Sequence, residues 1–436
     1  MIRYLSFFAL CVVCFEACLT ADTSFTRVAP GIWRGVLVLD KYRVPVRDKD
    51  TVFVLHDAFK EGELPFNFEV KYLDAERFYL EIINGAERIR CDSIVYGRDR
   101  SRARDTMNIH FPEYQSYLHV EIRGNAMQGE WVVPTKENYR IPFYALAGVA
   151  HRFTPLTQAP QADLSGEWAT LFGTETDKPY KAIGEFKQAG NRLEGTFRTE
   201  TGDYRFLEGT VQGRKFWLSC FDGSHAYLFS GSIRKDSLNG EFRSGKTGRE
   251  LFLSWQDTSF KLGDAHTLTT LKSGAAPISF AFDNAEGKPL RFPGPEYEGK
   301  VKIFTIMGTW CPNCRDEQAF LVEFLQNNPV LAPKIAVTAF SFERNKTSEQ
   351  ANLQLRRYKQ KMGIPFDMVF AGKADKAEAA KIFPALSQVM AFPTMLVLDK
   401  QNKVRFIHTG FDGPATSKYA EFKKTFSEQI TDLTKE

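Results

Sequence analysis

The feature that most constrains this chain is a change of hydrophobic period near residue 277. From about residue 24 to residue 258 it reads as many short strands, such as Gly35 to Leu39, Thr51 to Leu55 and Phe78 to Ile83. Turn residues punctuate them at Asn84-Gly85, Gly124-Asn125, Gly190-Asn191, Thr201-Gly202-Asp203 and Asp222-Gly223. Short alternating strands with such turns predict an all-β region, a β-sandwich or a β-barrel. From residue 277 onward, apolar runs alternate with helical spacing, which predicts an α/β domain with a helix-covered sheet. Strands are expected at Val301 to Met307, Lys334 to Phe342 and Phe366 to Phe370, and a hairpin at Thr394 to Asp399 and Val404 to Thr409. Helices are expected at Glu317 to Leu325, Ser348 to Lys361 (closed by Gly363), Ala374 to Phe383 and Tyr419 to Leu433.

The β region divides at the polar, proline-marked stretch Pro155 to Asp163 into units 24–154 and 160–258, with a breaker-rich connection at 259–276. Gly31-Ile32-Trp33 opens one unit and Ser165-Gly166-Glu167-Trp168 the other; they end alike at Met127 to Trp131 and Leu238 to Phe242. Either the units are related, or Gly-x-aromatic strand starts are simply common in β proteins. Cys91 and Cys220 fall at similar distances into the two units and read as buried free thiols in separate cores, with a structural disulfide as the alternative. If the units are repeats, these thiols belong on related strands.

A length of 436 residues fits two or three domains, and 43% hydrophobic residues exclude a disordered chain. The net charge of +4, set against 57 basic and 53 acidic residues, gives no reason to expect nucleic acid. Residues 1–21 read as an export signal: Arg3, an apolar stretch from Tyr4 to Val13, and small residues at Ala17 and Ala21. That stretch is too short to span a bilayer comfortably. Cys18 after Ala17 is a candidate for lipidation, although Phe15 and Glu16 depart from the usual lipobox. The expected location is therefore the periplasm or cell envelope.

Trp310-Cys311-Pro312-Asn313-Cys314 stands where a strand gives way to a helix. Two cysteines three apart on a first helical turn can close and reopen a small disulfide ring. Pro312 suits the first helical position, where its missing N–H costs nothing. Free N–H groups and the positive dipole end favour a thiolate there. Cys311 is thus expected as the exposed nucleophile and Cys314 as the resolving thiol. The competing reading is a metal site, but structural zinc needs four ligands and no second CxxC exists. A copper site would draw on His408. No cofactor is expected.

The segment Gly308 to Glu317 resembles the active-site stretch of the TlpA/ResA-like thiol–disulfide oxidoreductases. The resemblance covers about residues 277 to 433, supported by Phe392-Pro393-Thr394 running into Met395 to Asp399 and by the insertion at about 364–386. It implies a thioredoxin-like fold over 277–436 and a redox-active Cys311–Cys314 pair. It implies a cis-proline at Pro393 that helps receive an extended substrate segment, supported by Thr394. It also implies a proton-transfer role for Glu317, since Thr305 replaces thioredoxin's buried aspartate. Trp310 is expected to shape the docking surface.

The expected function is an exported dithiol–disulfide exchanger, favouring reduction of selected protein disulfides, with electrons passing to or from a membrane-linked partner. The alternative is a cell-envelope binding protein whose β-rich region captures a ligand or partner and whose thioredoxin-like part is accessory. A peroxidase reading fits less well, because CxxC places the resolving thiol beside the attacker. The basic run Gly97 to Asp105 reads as a solvated loop, His225 as a turn or pocket residue, and His408 as a strand-face residue near the active-site sheet.

Overall fold

The computed structural model describes residues 27–40, 56–99 and 104–436. The export signal with Cys18, and the strand expected at Thr51 to Leu55, lie outside the described residues. Among those described, strands dominate and helices are few.

Nine antiparallel strands, from Gly31–Val38 to Arg140–Ala147, form the first sheet among the described residues. Gly31–Val38 pairs on one side with Glu63–Tyr72 and on the other with Arg140–Ala147, which curls the sheet round. Glu87–Cys91 and Ile94–Asp99 follow one another in the chain yet stand at opposite edges, so the curl stays open as a half-barrel. The second sheet closes. Gly166–Phe172 pairs with both Tyr180–Ala189 and Gly248–Trp255, and Tyr180–Ala189 also pairs with Arg192–Thr199. Of the two β architectures the sequence allowed, the barrel is the one observed, once open and once shut.

The two sheets share a device. The indole N–H of Trp33 donates to the Ala29 carbonyl at 2.8 Å, and that of Trp168 to the Leu164 carbonyl at 2.9 Å. Cys91 and Cys220 are free and buried, in the first and second cores respectively. They are not on related strands: counted back from the last strand of its sheet, Cys220 is on the fourth and Cys91 on the sixth.

The half-barrel can stay open because the closed barrel completes its core. Along Lys215–Phe221, Phe216, Leu218 and Cys220 point into the closed barrel, while Trp217 and Phe221 pack with the first core. Ala226 and Leu228 add to the same outward face. Full burial of a side chain such as Phe221 is worth roughly 1.5–3 kcal/mol. Arg152, in the connection between the sheets, bridges them by donating to the Ile83 carbonyl of the first and to the Ser219 hydroxyl (3.2 Å) and Glu208 carboxylate (3.0 Å) of the second.

In the C-terminal part, five strands lie in the order Asp367–Lys373, Ile335–Glu343, Val301–Met307, Thr394–Leu398, Val404–Thr409. The first two contacts in that order are parallel and the last two antiparallel. Helices Pro312–Asn327, Ser348–Met362, Lys376–Ile382 and Tyr419–Lys435 accompany the sheet, with Gly363 in the left-handed region ending the second. A small hairpin, Phe280–Asp283 with Pro289–Phe292, was not foreseen. The 259–276 connection is strapped to this unit, with Thr409 N donating to Ala265 O and Lys272 N to Ala385 O. The basic run is corrected: Gly97 to Asp99 belong to strand Ile94–Asp99, and Arg104 opens Arg104–Phe111. Strand pairing extends into the run because alternate side chains there can face water.

Candidate active site

Strand Val301–Met307 is buried along its whole length and delivers the chain to Gly308. A β-carbon on Gly308 would lie 2.4 Å from the Trp310 indole nitrogen, so glycine lets the tryptophan fold back. Trp310 donates through that nitrogen to the Phe342 carbonyl at 2.9 Å, and the Arg344 guanidinium covers its ring at 4.0 Å. Helix Pro312–Asn327 begins with Cys311 as its N-cap in extended conformation and Pro312 buried in the first turn. The helix starts at Pro312, the first helical position expected from the cysteine motif, and runs on past the apolar stretch Glu317 to Leu325.

The Cys314 N–H donates to Cys311 Sγ at 3.4 Å. On its other side Cys311 Sγ lies 3.5 Å from the Phe392 carbonyl oxygen, to which the thiol donates. The Phe392–Pro393 bond is cis, and Thr394, fully buried, ties the bend by donating to Ala391 O at 2.8 Å. The Phe392 ring meets Trp310 edge-on.

Burial alone would push the Cys311 thiol up. The hydrogen bond with the Cys314 thiol, the N–H groups of Cys314 and Asn313, and the Arg344 charge outweigh it and leave Cys311 below the ordinary thiol value. Cys314 is pushed well up, by burial first and then by the hydrogen bond and charge of Cys311. The two thiols therefore differ in the sense dithiol exchange requires, one easily ionised and one held protonated. Glu317 has no exposed surface, and burial, then the Cys311 charge, raises its carboxyl well above the ordinary value. Gln318 Nε2 lies 3.3 Å from Glu317 Oε2 and 3.1 Å from the Thr305 hydroxyl.

One expectation is corrected. Cys311 is not openly exposed but 8% accessible, because the Phe392 carbonyl flanks it and turns from the closed barrel sit on its neighbours. His408 is a buried residue of Val404–Thr409, beside His266 and Phe422. His225 pairs with Asp222 and stacks on Tyr227.

Sequence reasoning missed Glu343. Its buried carboxylate accepts from both the N–H and the hydroxyl of Thr309, each at 2.8 Å, fixing the loop before the cysteines. Its only sequence signal is an acid ending an otherwise apolar strand, which reads equally well as a solvent-facing end.

Over about a third of its length the chain is similar to thioredoxin-like thiol–disulfide oxidoreductases. The relatives include the thioredoxin-like protein YneN of Bacillus subtilis, 29% identical over 113 residues, 26% of this chain and 58% of YneN. The chain thus spans less than two thirds of that relative. The thiol-disulfide oxidoreductase ResA of Geobacillus thermodenitrificans is 23% identical over 147 residues, 33% of this chain and 72% of ResA. Among solved structures, a thioredoxin-family thiol:disulfide interchange protein from Chlorobium tepidum aligns at 19% identity and a TM-score of 0.28, covering 37% of this chain and 98% of its own. No protein-family model matches the chain.

Proposed function

We propose that the chain is an exported thiol–disulfide oxidoreductase that reduces selected protein disulfides. One observation carries the reading: Cys311 caps a helix with its sulfur between the Cys314 N–H and the carbonyl preceding cis-Pro393. In the reducing direction the Cys311 thiolate attacks a substrate disulfide; the substrate S–S bond breaks, a mixed disulfide forms, and the first substrate thiolate leaves and takes a proton. Cys314, losing its proton to solvent or to Glu317 once that carboxyl has ionised, then attacks Cys311 Sγ. The second substrate thiol departs and the Cys311–Cys314 disulfide forms. The substrate gains two electrons and the enzyme loses two. A dithiol donor, linked to the membrane on this reading, restores the starting state. Trp310 and Phe392 flank the attacking sulfur, and Thr394 holds the proline bend.

The test is thiol-dependent reduction of insulin by the full chain, with Cys311→Ser as control. Turnover that the substitution abolishes supports the reading. Equal turnover with and without the Cys311 sulfur overturns it. A redox midpoint near about −120 mV, at the oxidising end of the scale, would contradict the reductase direction.

A further inference from the structure

We propose that the closed barrel is a built-in occupant of the redox site's docking face, so that a protein disulfide reaches Cys311 only when two barrel turns withdraw. The chemistry at stake rests on the dithiol reading above; the geometry of the cover does not.

The first turn runs from Thr199 to Asp203. The Asn313 side chain, between the two cysteines, donates to the Asp203 carbonyl at 3.2 Å. Gly202 has φ +136°, and a β-carbon there would lie 2.1 Å from Asn313 Nδ2. The same turn leans on Gly410, where a β-carbon would come within 2.7 Å of the Thr201 carbonyl carbon. Gly410 in turn donates its N–H to the Pro393 carbonyl at 2.9 Å. One barrel turn thus bears on both walls that flank Cys311.

The second turn, Asp222 to His225, is braced by Asp222 Oδ1, which accepts from the N–H groups of Ser224 (2.8 Å) and His225 (2.6 Å). Its Ser224 hydroxyl donates to the Trp310 carbonyl at 2.8 Å. With Trp310, Asn313 and Gly410 all covered, little of Cys311 is left exposed.

The direct contacts of these turns with the redox loop are polar hydrogen bonds, not interlocked apolar side chains. Water can replace each of them at small net cost, and interfaces of this kind between domains permit movement; the buried Arg205–Asp316 pair beside the first turn is the costlier contact that must open with them. A cover held this way can lift without unfolding the barrel.

The full chain, reduced, is labelled at Cys311 with iodoacetamide and with a bulky polymer-linked maleimide, read by peptide mapping so that Cys91 and Cys220 do not contribute. Ser224→Ala, which leaves the Asp222 brace intact, is expected to raise the bulky-reagent rate about fivefold, the value of one net hydrogen bond. Gly202→Ala, which wedges against Asn313, should raise it at least as much, with a smaller change for iodoacetamide. Unchanged bulky-reagent rates in the folded Ser224→Ala chain overturn the proposal. Insulin turnover followed in parallel separates the two readings. Faster labelling without turnover in any variant supports the cover and sinks the reductase; turnover with unchanged labelling does the reverse.

Discussion

Arg205 of the closed barrel is ion-paired with Asp316, two residues beyond Cys314 in the helix Pro312–Asn327. Both are buried, and Arg205 also pairs with Glu87 of the half-barrel. Burial alone would make the guanidinium less basic; the carboxylates of Glu87, Asp222 and Asp203 outweigh it and hold the charge. One cation thereby joins all three parts of the molecule at the helix that Cys311 caps.

Arg205→Met leaves several buried carboxylates without their cation. Removing one partner of a buried pair costs about 3–5 kcal/mol. The expected outcome is a lowered thermal midpoint together with faster labelling of Cys311. A midpoint within a degree of the unaltered chain would show that the cluster does not hold the parts together.

Asp412 gives a pH-dependent prediction. Burial, with Asp203 and Glu185 nearby, raises its carboxyl to about 6, against the lowering effect of Arg198 and Lys418. A carboxyl raised on folding contributes stability that is present below its ordinary value of 3.8 and lost as pH rises through about 6. Asp412→Asn should therefore stabilise the protein at pH 7 to 8 and give no gain near pH 4. Partial exposure trims the gain to roughly 1–2 kcal/mol. Denaturation midpoints at the two pH values check it; an equal effect at both would point to a contact other than this ionisation.

The loop around Cys311 and Cys314 was legible because its residues are consecutive. A CxxC between a buried strand and a helix, and a Phe-Pro-Thr step before another strand, are written in consecutive residues. Gly363 likewise announced the end of its helix. What surrounds the loop was not legible. Asn313 meets the Asp203 carbonyl across 110 positions, and Glu343 meets Thr309 across 34. Nothing local distinguishes a buried Arg205 or Glu343 from a solvated one. The short strands announced β structure, but not that Glu87–Cys91 and Ile94–Asp99 would part while Trp217 and Phe221 of another sheet pack into the same core. The continuous run Phe216 to Phe221 carried that signal, as a strand buried on both faces.

Glu317 is expected to move protons at the thiols. Burial, then the Cys311 charge, makes its carboxyl hold a proton more tightly than an ordinary carboxylate, while the Cys311 thiol lies below the ordinary thiol value. The Glu317 charge, once formed, also pushes Cys314 up. Glu317→Gln should remove one inflection from the pH profile of turnover and slow turnover near pH 7 about a hundredfold, the lower end for a positioned acid–base group. A profile of unchanged shape would assign Glu317 a packing role.

The account rests on Cys311 attacking and Cys314 resolving, and trapping tests that division directly. In a Cys314→Ser chain incubated with an extract of envelope proteins, Cys311 should accumulate as a mixed disulfide with a partner, released by dithiothreitol and missing when Cys311→Ser is added. No adduct at Cys311 from the folded, reduced variant, even with Ser224→Ala to uncover the site, would contradict it.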